Sequence, residues 1–443
     1  MNVINNKNQI IAALATPYGK SAVAIIRISG FGSIELVERF LLRKIGIGEL
    51  KTNTFKADGF TERLMAVGFK APRSYTGEDL VELYPHGNMT VCDGILKVLI
   101  GGGARLAERG EFTRRAFQNG KVDLMQCEAL ADIIDAQTTE QLVYGNKRYD
   151  GGFSQLKVAE DLLKKALSTV EAVLHYGDEL EQIEIDGGLK DDVYSAIDRV
   201  IDIVEKEERG FAGGKIINDG FKVALIGQPN VGKSTLLNAL TGSDRAIVTP
   251  IAGTTRDTVE GSYIYNGRKF VVTDTAGLNE STFDEVEKIG IERAKRAAED
   301  ADAVVIVTTP GEKAQKSDYA LSVEVANKCD SAVDVGEDYA SCEHGGVMEI
   351  SAKLGKNVTA LKKKLYDMCP KDFGAVCNHR QYGCICRCLS SLRAAADESK
   401  KAESLEIVAA LLYEAYSAIA ELHGETADEN VISSVFERFC VGK

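Results

Sequence analysis

The stretch KVALIGQPNVGKST, residues 222–235, carries the most specific chemistry in the chain. Gly227 is followed, after four residues, by Gly232, Lys233 and Ser234. The apolar run Val223 to Ile226 reads as a strand and TLLNAL as a helix, the context a phosphate-binding loop requires. Its glycines let backbone N–H groups turn toward phosphate, and Asn230, Val231, Gly232, Lys233, Ser234 and Thr235 are the candidate contacts. Lys233 reaches the β- and γ-phosphates of a nucleotide. Ser234 offers a hydroxyl to Mg²⁺, and the helix N-terminus adds a favourable dipole.

Four further pieces follow in order. GTTRD, residues 253–257, offers Thr255 as a ligand for Mg²⁺ and the γ-phosphate. VVTDTAG reads as a strand ending in Asp274, which can hold Mg²⁺ through water; Gly277 can give its N–H to the γ-phosphate, and Thr275 and Ala276 are further GTP contacts. NKCD places Asn327, Lys328 and Asp330 near the base. A carboxylate there accepts two hydrogen bonds, from the N1–H and the 2-amino group of guanine, and adenine cannot supply that pair. SAK, with Ser351, Ala352 and Lys353, completes a base pocket. Together these pieces imply a Ras-like P-loop domain that binds and hydrolyses GTP.

One position alters the expected mechanism. Ras-type enzymes carry a water-positioning glutamine after the D-x-x-G glycine, and here that residue is Leu278. An alkyl side chain cannot hydrogen-bond water. Glu287 in DEVEKIG is a candidate replacement, with an exposed helix carboxylate as the plainer reading. Asn230 is placed to help hold a monovalent cation beside the phosphates.

The elements that must position these residues fall into regions of different texture. Residues 1–120 mix β-rich runs (SAVAIIRIS, RLMAVGFK, DLVELYPHG) with helical stretches (GSIELVERFLLRK, TVCDGILKVLIGG), an α+β pattern. Residues 121–213 read as helical, with Leu156, Leu163, Leu167, Val170 and Leu174 recurring at helical steps, as do Val193, Ile197, Val200 and Val204. Residues 214–372 alternate strands and helices. Helices return over 373–443, where Leu405, Val408, Leu412, Ala415, Ile419 and Leu422 form another stripe. The pattern predicts a multidomain α/β plus all-α chain with the P-loop domain inserted between two parts of a helical one. GFAGGK marks the expected break where the chain enters the insertion, and CPKDFG the one where it leaves.

At 443 residues the chain exceeds what one core serves. Its 53 basic and 66 acidic residues give a net charge of −13, so no overall field draws it to nucleic acid. An RNA partner must be met by a local basic patch or through another protein. No apolar run of about 18 residues appears, and MNVINNKNQI has neither a secretory nor an organellar targeting pattern. Of 10 cysteines, Cys369, Cys377, Cys384, Cys386 and Cys388 cluster late in the chain. CICRC has alternate spacing, unlike the paired ligands of zinc sites, and is read as reduced thiols packing on a helix.

GQPNVGKS, IVTPIAGTTRD, DTAGLNE followed by DEVEKIGIERA, and the C-terminal FCVGK resemble the tRNA modification GTPase MnmE (TrmE) family. So do ATPYGKSAVAIIRISG, PRSYTGEDLVELYPHGN and RGEFTRRAFQNGKVDLMQCEALADIIDA, and the resemblance covers essentially the whole chain. It implies an N-terminal folate-binding domain that makes a homodimer, a helical domain and an inserted G domain. It implies a potassium ion in place of an arginine finger, with ligands at Asn230, Thr249, Ile251 and Thr254, and Glu287 as the catalytic glutamate. It implies a tetrahydrofolate derivative of the 5-formyl or 5,10-methylene type, held at Arg27, Glu82 and Lys121 with Lys443 near. The implied partners are an FAD-dependent MnmG (GidA)-type protein and tRNA, whose wobble uridine is modified at carbon 5 in the cytoplasm.

The same resemblance places Cys440 near the folate site. The competing reading of FCVGK, a prenylation signal, wants aliphatic residues after the cysteine, and Gly442 and Lys443 do not fit. With no base beside it in the sequence, Cys440 is not assigned as a nucleophile. The G boxes alone fit a second class equally well, a GTP-dependent ribosome-assembly switch without folate chemistry. The N-terminal 120 residues and the FCVGK segment separate the two.

Overall fold

The structure is a computed structural model that describes residues 9–180, 188–242, 259–274, 297–312, 319, 321–331, 343–344, 346–400 and 405–443. The chain divides into two compact units, Met1–Ile134 with Tyr416–Lys443, and Asp135–Ala415.

The first unit is built on β1 (Ile11–Leu14), β2 (Ile26–Ser29), β3 (Lys51–Ala57), β4 (Phe60–Phe69), β5 (Leu80–Tyr84) and β6 (Arg105–Leu106). Their order across the sheet is β3-β4-β5-β2-β1-β6. Alternation sorts the two faces. Ile26, Ile28, Val81 and Leu83 pack against α1 (Ser33–Glu38) and α2 (Met89–Gly101) through Ile34, Val37, Cys92, Ile95 and Leu99. The opposite face carries Arg27 and Glu82, direct cross-strand partners, with Ile11 and Ala13 packed on Phe112 of α3 (Glu111–Gln118). The expected helix GSIELVERFLLRK stops at Glu38. Beyond it the backbone pairs with β3 instead, Leu42 N donating to Thr54 O and Lys56 N to Phe40 O.

The C-terminal residues belong to this unit. Val435 and Phe436 of α12 (Glu429–Glu437), with Phe439, pack on Leu124, Cys127 and Ala131 of α4 (Leu124–Asp135). The expected second helical part, 373–443, is divided between the units after Ala415, and its last helix buries its apolar side against α4.

The second unit joins helices to a seven-stranded sheet. α5 (Thr139–Lys147) begins with a capping box of Thr138 and Gln141. α6 (Ser154–Leu180) packs along α7 (Gly188–Asp219). The α6 stripe is shifted from expectation: Leu156, Ala159, Leu163, Ala166 and Val170 are buried, whereas Leu174 is exposed. Ala159 and Ala166 take two of its buried positions. The sheet contains β7 (Phe221–Ile226), β8 (Val259–Tyr265), β9 (Arg268–Asp274), β10 (Ala303–Thr308), β11 (Ser322–Ala326), β12 (Glu343–His344) and β13 (Val347–Glu349). Its order is β12-β13-β11-β10-β7-β9-β8. The central pairs are parallel, and β8 and β12 are antiparallel at the edges. α8 (Lys233–Thr241) and α9 (Val358–Asp367) contribute Leu236, Leu240, Leu361 and Leu365 to its core. After the sheet come α10 (His379–Lys400) and α11 (Leu405–His423), and the boundary between the units falls inside α11, after Ala415. Cys384 and Cys388 are buried one turn apart on α10.

The residue pair 213/214, where the insertion was expected to start, lies inside α7, which runs on to Asp219. The glycines of GFAGGK do not break the helix. They lie under the chain that returns from the sheet. A methyl group at Gly213 would come within 3.0 Å of the Asp372 carbonyl oxygen, and one at Gly214 would stand 2.6 Å from Val376 O. The returning segment is then held from all sides. Gly374 N donates to Gly210 O at 3.1 Å. Ala375 N and Val376 N donate to the buried Glu207 carboxylate at 2.6 and 3.3 Å. Tyr144 OH donates to Gly374 O and Arg148 Nε to Ala375 O, at 2.8 and 2.9 Å.

In a free helix Gly213→Ala stabilises by about 1 kcal/mol. Here the methyl meets fixed backbone, and overpacking of this kind costs about 1–3 kcal/mol. The variant is expected to melt at a lower temperature than the parent in a calorimetric scan, and a raised midpoint would refute this close approach.

Candidate functional site

Two groups of candidate residues are assembled, one in each unit. In the second unit β7 ends at Ile226, and the loop that follows turns through Asn230 and Gly232, both in the left-handed region, into α8. Lys233 Nζ donates to Gly227 O and Gln228 O, both at 2.8 Å, which arches the ammonium over the loop. Burial lowers the pKa of this ammonium, and the Asp274 carboxylate opposes the shift. Asp274 ends β9 opposite Leu225 of β7 and is fully buried. Ser234 Oγ donates to its Oδ2 at 2.6 Å. A hydroxyl and a carboxylate meeting beside a phosphate loop are hard oxygen donors, the set that suits Mg²⁺.

The base-side residues are tied to the same loop. Asn327 is buried, its Nδ2 donating to Val231 O at 2.9 Å and its Oδ1 accepting from Ala352 N at 3.0 Å. One amide thereby joins three motifs that are far apart in sequence. Lys328 Nζ donates to Asn230 O at 2.6 Å. Ser351 Oγ donates to Asp330 Oδ1 at 2.6 Å, and this bond holds the Asp330 carboxyl below the usual range. Lys353 is exposed beside them. Thr235 is exposed at the start of α8. Thr249, Ile251, Thr254, Thr255, Thr275, Ala276, Gly277, Leu278 and Glu287 lie outside the described residues.

In the first unit Arg27 Nε and Nη2 both donate to Glu82 Oε1, at 2.9 and 2.8 Å. Arg27 Nη1 donates to Gly442 O at 3.1 Å. The guanidinium also lies 5.4 Å from the Tyr75 ring centroid and 5.8 Å from that of Phe112. Lys443 is close enough that Arg27, after burial, helps lower its pKa. Lys121 is engaged elsewhere, donating from Nζ to Pro72 O at 3.1 Å. Cys440 is exposed. Sequence reasoning missed Tyr84, whose hydroxyl donates to Glu82 Oε2 at 2.6 Å. Burial, and then the Glu82 carboxylate, push its phenol up to about 12. The signal was available, since a period of two along LVELY places Tyr84 on the face of Glu82.

Comparison with known proteins bears on both groups. The family model described as the N-terminus of the GTP-binding protein TrmE matches residues 10–121. The model described as the MnmE helical domain matches residues 124–440. A tRNA modification GTPase MnmE from Fervidobacterium nodosum is 35% identical over 468 residues, covering 100% of both chains. The protein of the same name from Pseudothermotoga lettingae is 37% identical, covering 98% of this chain and 99% of that one. That from Aquifex aeolicus is 35% identical with the same coverage, 98% and 99%.

Asn327→Ala removes the amide shared by Val231 O and Ala352 N and leaves both backbone groups buried without it. Each such loss costs about 1–3 kcal/mol. The second unit is expected to unfold at lower urea concentration with no nucleotide added. An unchanged midpoint would mean that Asn327 does not join these segments.

Proposed function

The chain belongs to the tRNA modification GTPase MnmE family, and on that premise we propose that potassium-activated GTP hydrolysis drives its modification of carbon 5 of the wobble uridine in certain tRNAs. The product is of the aminomethyl or carboxymethylaminomethyl type. The one-carbon unit comes from a tetrahydrofolate derivative, and an FAD-dependent MnmG (GidA)-type protein is the working partner. The carrying observation is that one chain holds both a phosphate loop cross-linked to a base pocket and an Arg27–Glu82 pair joined to its C-terminal segment. A GTPase acting only as an assembly switch has no need of the second.

GTP is the substrate in the second unit. The loop from Asn230 to Thr235 faces its phosphates, with Lys233 supplying positive charge as the γ-phosphate departs. Asp330 accepts from guanine, oriented by Ser351, while Asn327, Lys328, Ala352 and Lys353 complete the pocket. Mg²⁺ would be held by Ser234 and Thr255, and Asp274 would hold its water; when bound it neutralises phosphate charge. K⁺ would be held by Asn230, Thr249, Ile251 and Thr254, supplying the charge that an arginine finger supplies elsewhere. Lys328 fixes the backbone of Asn230, which supports this placement. Glu287 orients the attacking water in place of the missing glutamine, Gly277 gives its N–H to the γ-phosphate, and Thr275 and Ala276 complete the GTP contacts.

Folate is proposed to bind at Arg27, Glu82, Lys121 and Lys443. A pterin offers N–H donors to Glu82, and cationic side chains suit its glutamate carboxylates. Cys440 stands beside this site and takes part in the modification. The working form is a homodimer made through the N-terminal domain. The net charge of −13 fits a tRNA contact shared with the partner protein. Among the described residues no helix is long and apolar enough to cross a membrane, and a tRNA substrate sets the proposed work in the cytoplasm.

GTP turnover by the purified chain, in potassium chloride and in sodium chloride at equal ionic strength, tests the cation. Strong activation by potassium is expected, lost by at least about tenfold in Asn230→Ala, the equivalent of about 1.4 kcal/mol. Equal, low turnover in both salts would refute the cation mechanism.

A further inference from the structure

The C-terminal segment Cys440–Lys443 is seated mostly by backbone. Gly110 N donates to Cys440 O at 3.4 Å and Phe112 N to Lys443 O at 3.2 Å. Val441 forms an antiparallel bridge with Arg109. Lys443 N donates back to Cys440 O at 3.3 Å, which closes a turn. The turn needs Gly442: its φ is +96°, and a methyl there would stand 2.6 Å from Leu14 O and 2.7 Å from Ala15 Cα. These backbone bonds are long, and a long bond is a weak one. The shorter and charge-assisted contact comes from a side chain, Arg27 Nη1 on Gly442 O at 3.1 Å.

Arg27 cannot make that contact independently of Glu82. Its guanidinium is a rigid planar fork. Nε and Nη2 lie on Glu82 Oε1 while Nη1 reaches Gly442, so where Glu82 points decides where Nη1 points. The Tyr75 and Phe112 rings confine the group further. Tyr84 holds the other carboxylate oxygen. A carboxylate has about four lone-pair sites, and Arg27 and Tyr84 take three of them. One site on Oε2 is left for an incoming N–H donor.

We propose that Arg27 is a positioning residue that ties the Cys440–Lys443 turn to Glu82, so that ligand binding at Glu82 and seating of the Cys440 thiol form one linked equilibrium. The linkage rests on the folate reading above; the tie itself does not. A donor on the remaining lone pair restricts Glu82 to the orientation that keeps Arg27 on Gly442. By reciprocity, a seated turn must favour the ligand by the same factor. The thiol is thereby presented when the one-carbon carrier is bound and released when it leaves.

Hydrogen exchange read by mass spectrometry tests the tie, because the Gly110 and Phe112 amides report on the seated turn. In Arg27→Lys the charge remains but a single ammonium does not span Glu82 and Gly442 O. Exchange of peptides covering 109–112 and 439–443 is expected to rise about tenfold, the size of a lost charge-assisted bond, with peptides from β7 and α9 unchanged. Arg27→Met gives the same result if the fork is what matters. Exchange equal to the parent in both variants would overturn the tie. The linkage is tested in Gly442→Ala, which unseats the turn while Arg27 and Glu82 themselves stay unsubstituted. Affinity for 5-formyltetrahydrofolate is expected to fall about tenfold, with that probe slowing exchange at 439–443 only in the parent. Unchanged affinity in Gly442→Ala would overturn the linkage. A parent chain that binds no 5-formyltetrahydrofolate would refute the folate reading, and the exchange comparison would still decide the tie.

Discussion

The return of the chain onto α7 is the constraint on which the second unit depends. An inserted domain must leave its host and come back within a few ångströms of the same place. Here α7 leads through the single residue Gly220 into β7. The returning segment, Asp372 to Cys377, then lies across the glycines of that same helix. Burying this segment would strand its backbone groups, a cost of about 1–3 kcal/mol each. Glu207, Gly210, Tyr144, Arg148 and Gln381 satisfy them one by one. A second fastening lies beside the first. Arg268, the first residue of β9, forms a bidentate pair with Glu140 of α5, donates to Pro370 O at 3.4 Å and stacks on Tyr366.

Both fastenings hold the N-terminal ends of strands. The phosphate loop and Asp274 occupy the C-terminal ends, as ligands do in open α/β sheets. β9 spans seven residues between Arg268 and Asp274, about 20 Å at the rise of a strand. One end is therefore set against the helices and the other is left for nucleotide. The N-terminal unit uses the sheet differently. There the candidate group is a cross-strand pair in mid-sheet, Arg27 with Glu82, and the covering elements are α3 and the C-terminal turn.

Among the described residues the phosphate loop, NKCD and SAK were legible as short motifs whose spacing encodes a local backbone path, while GTTRD and the residues after Asp274 lie outside them. Strands from Val223 to Ile226 and up to Asp274 follow directly, as do the helix after Ser234 and the buried stripe of Val193, Ile197, Val200 and Val204. Arg27 and Glu82 were expected only through the family resemblance, and it is the β2–β5 register that sets them side by side on one face. What escaped depends on contacts distant in sequence. Glycine breaks helices and admits close neighbours, so GFAGGK reads as a boundary until the returning chain is seen above it. The helix at Ser33 stops early because β3 offers its backbone other partners. Leu174 has the right spacing but lies beyond the part of α6 whose neighbours cover it. The seating of FCVGK beside Arg27 joins residues 415 apart; the family resemblance implied it, and no local pattern announces it.

The nucleotide group and the Arg27–Glu82 group are proposed to serve one reaction on tRNA. The most direct test expresses the parent chain, Lys233→Ala and Glu82→Gln separately in a bacterial host that lacks its own family member, then measures wobble-uridine nucleosides in its tRNA by mass spectrometry. The parent should restore the carbon-5 aminomethyl-type nucleoside, and each variant should fail to restore it at equal protein level. Full modification with Lys233→Ala would show that GTP turnover does not drive the reaction, and full modification with Glu82→Gln would remove the Arg27–Glu82 site from it.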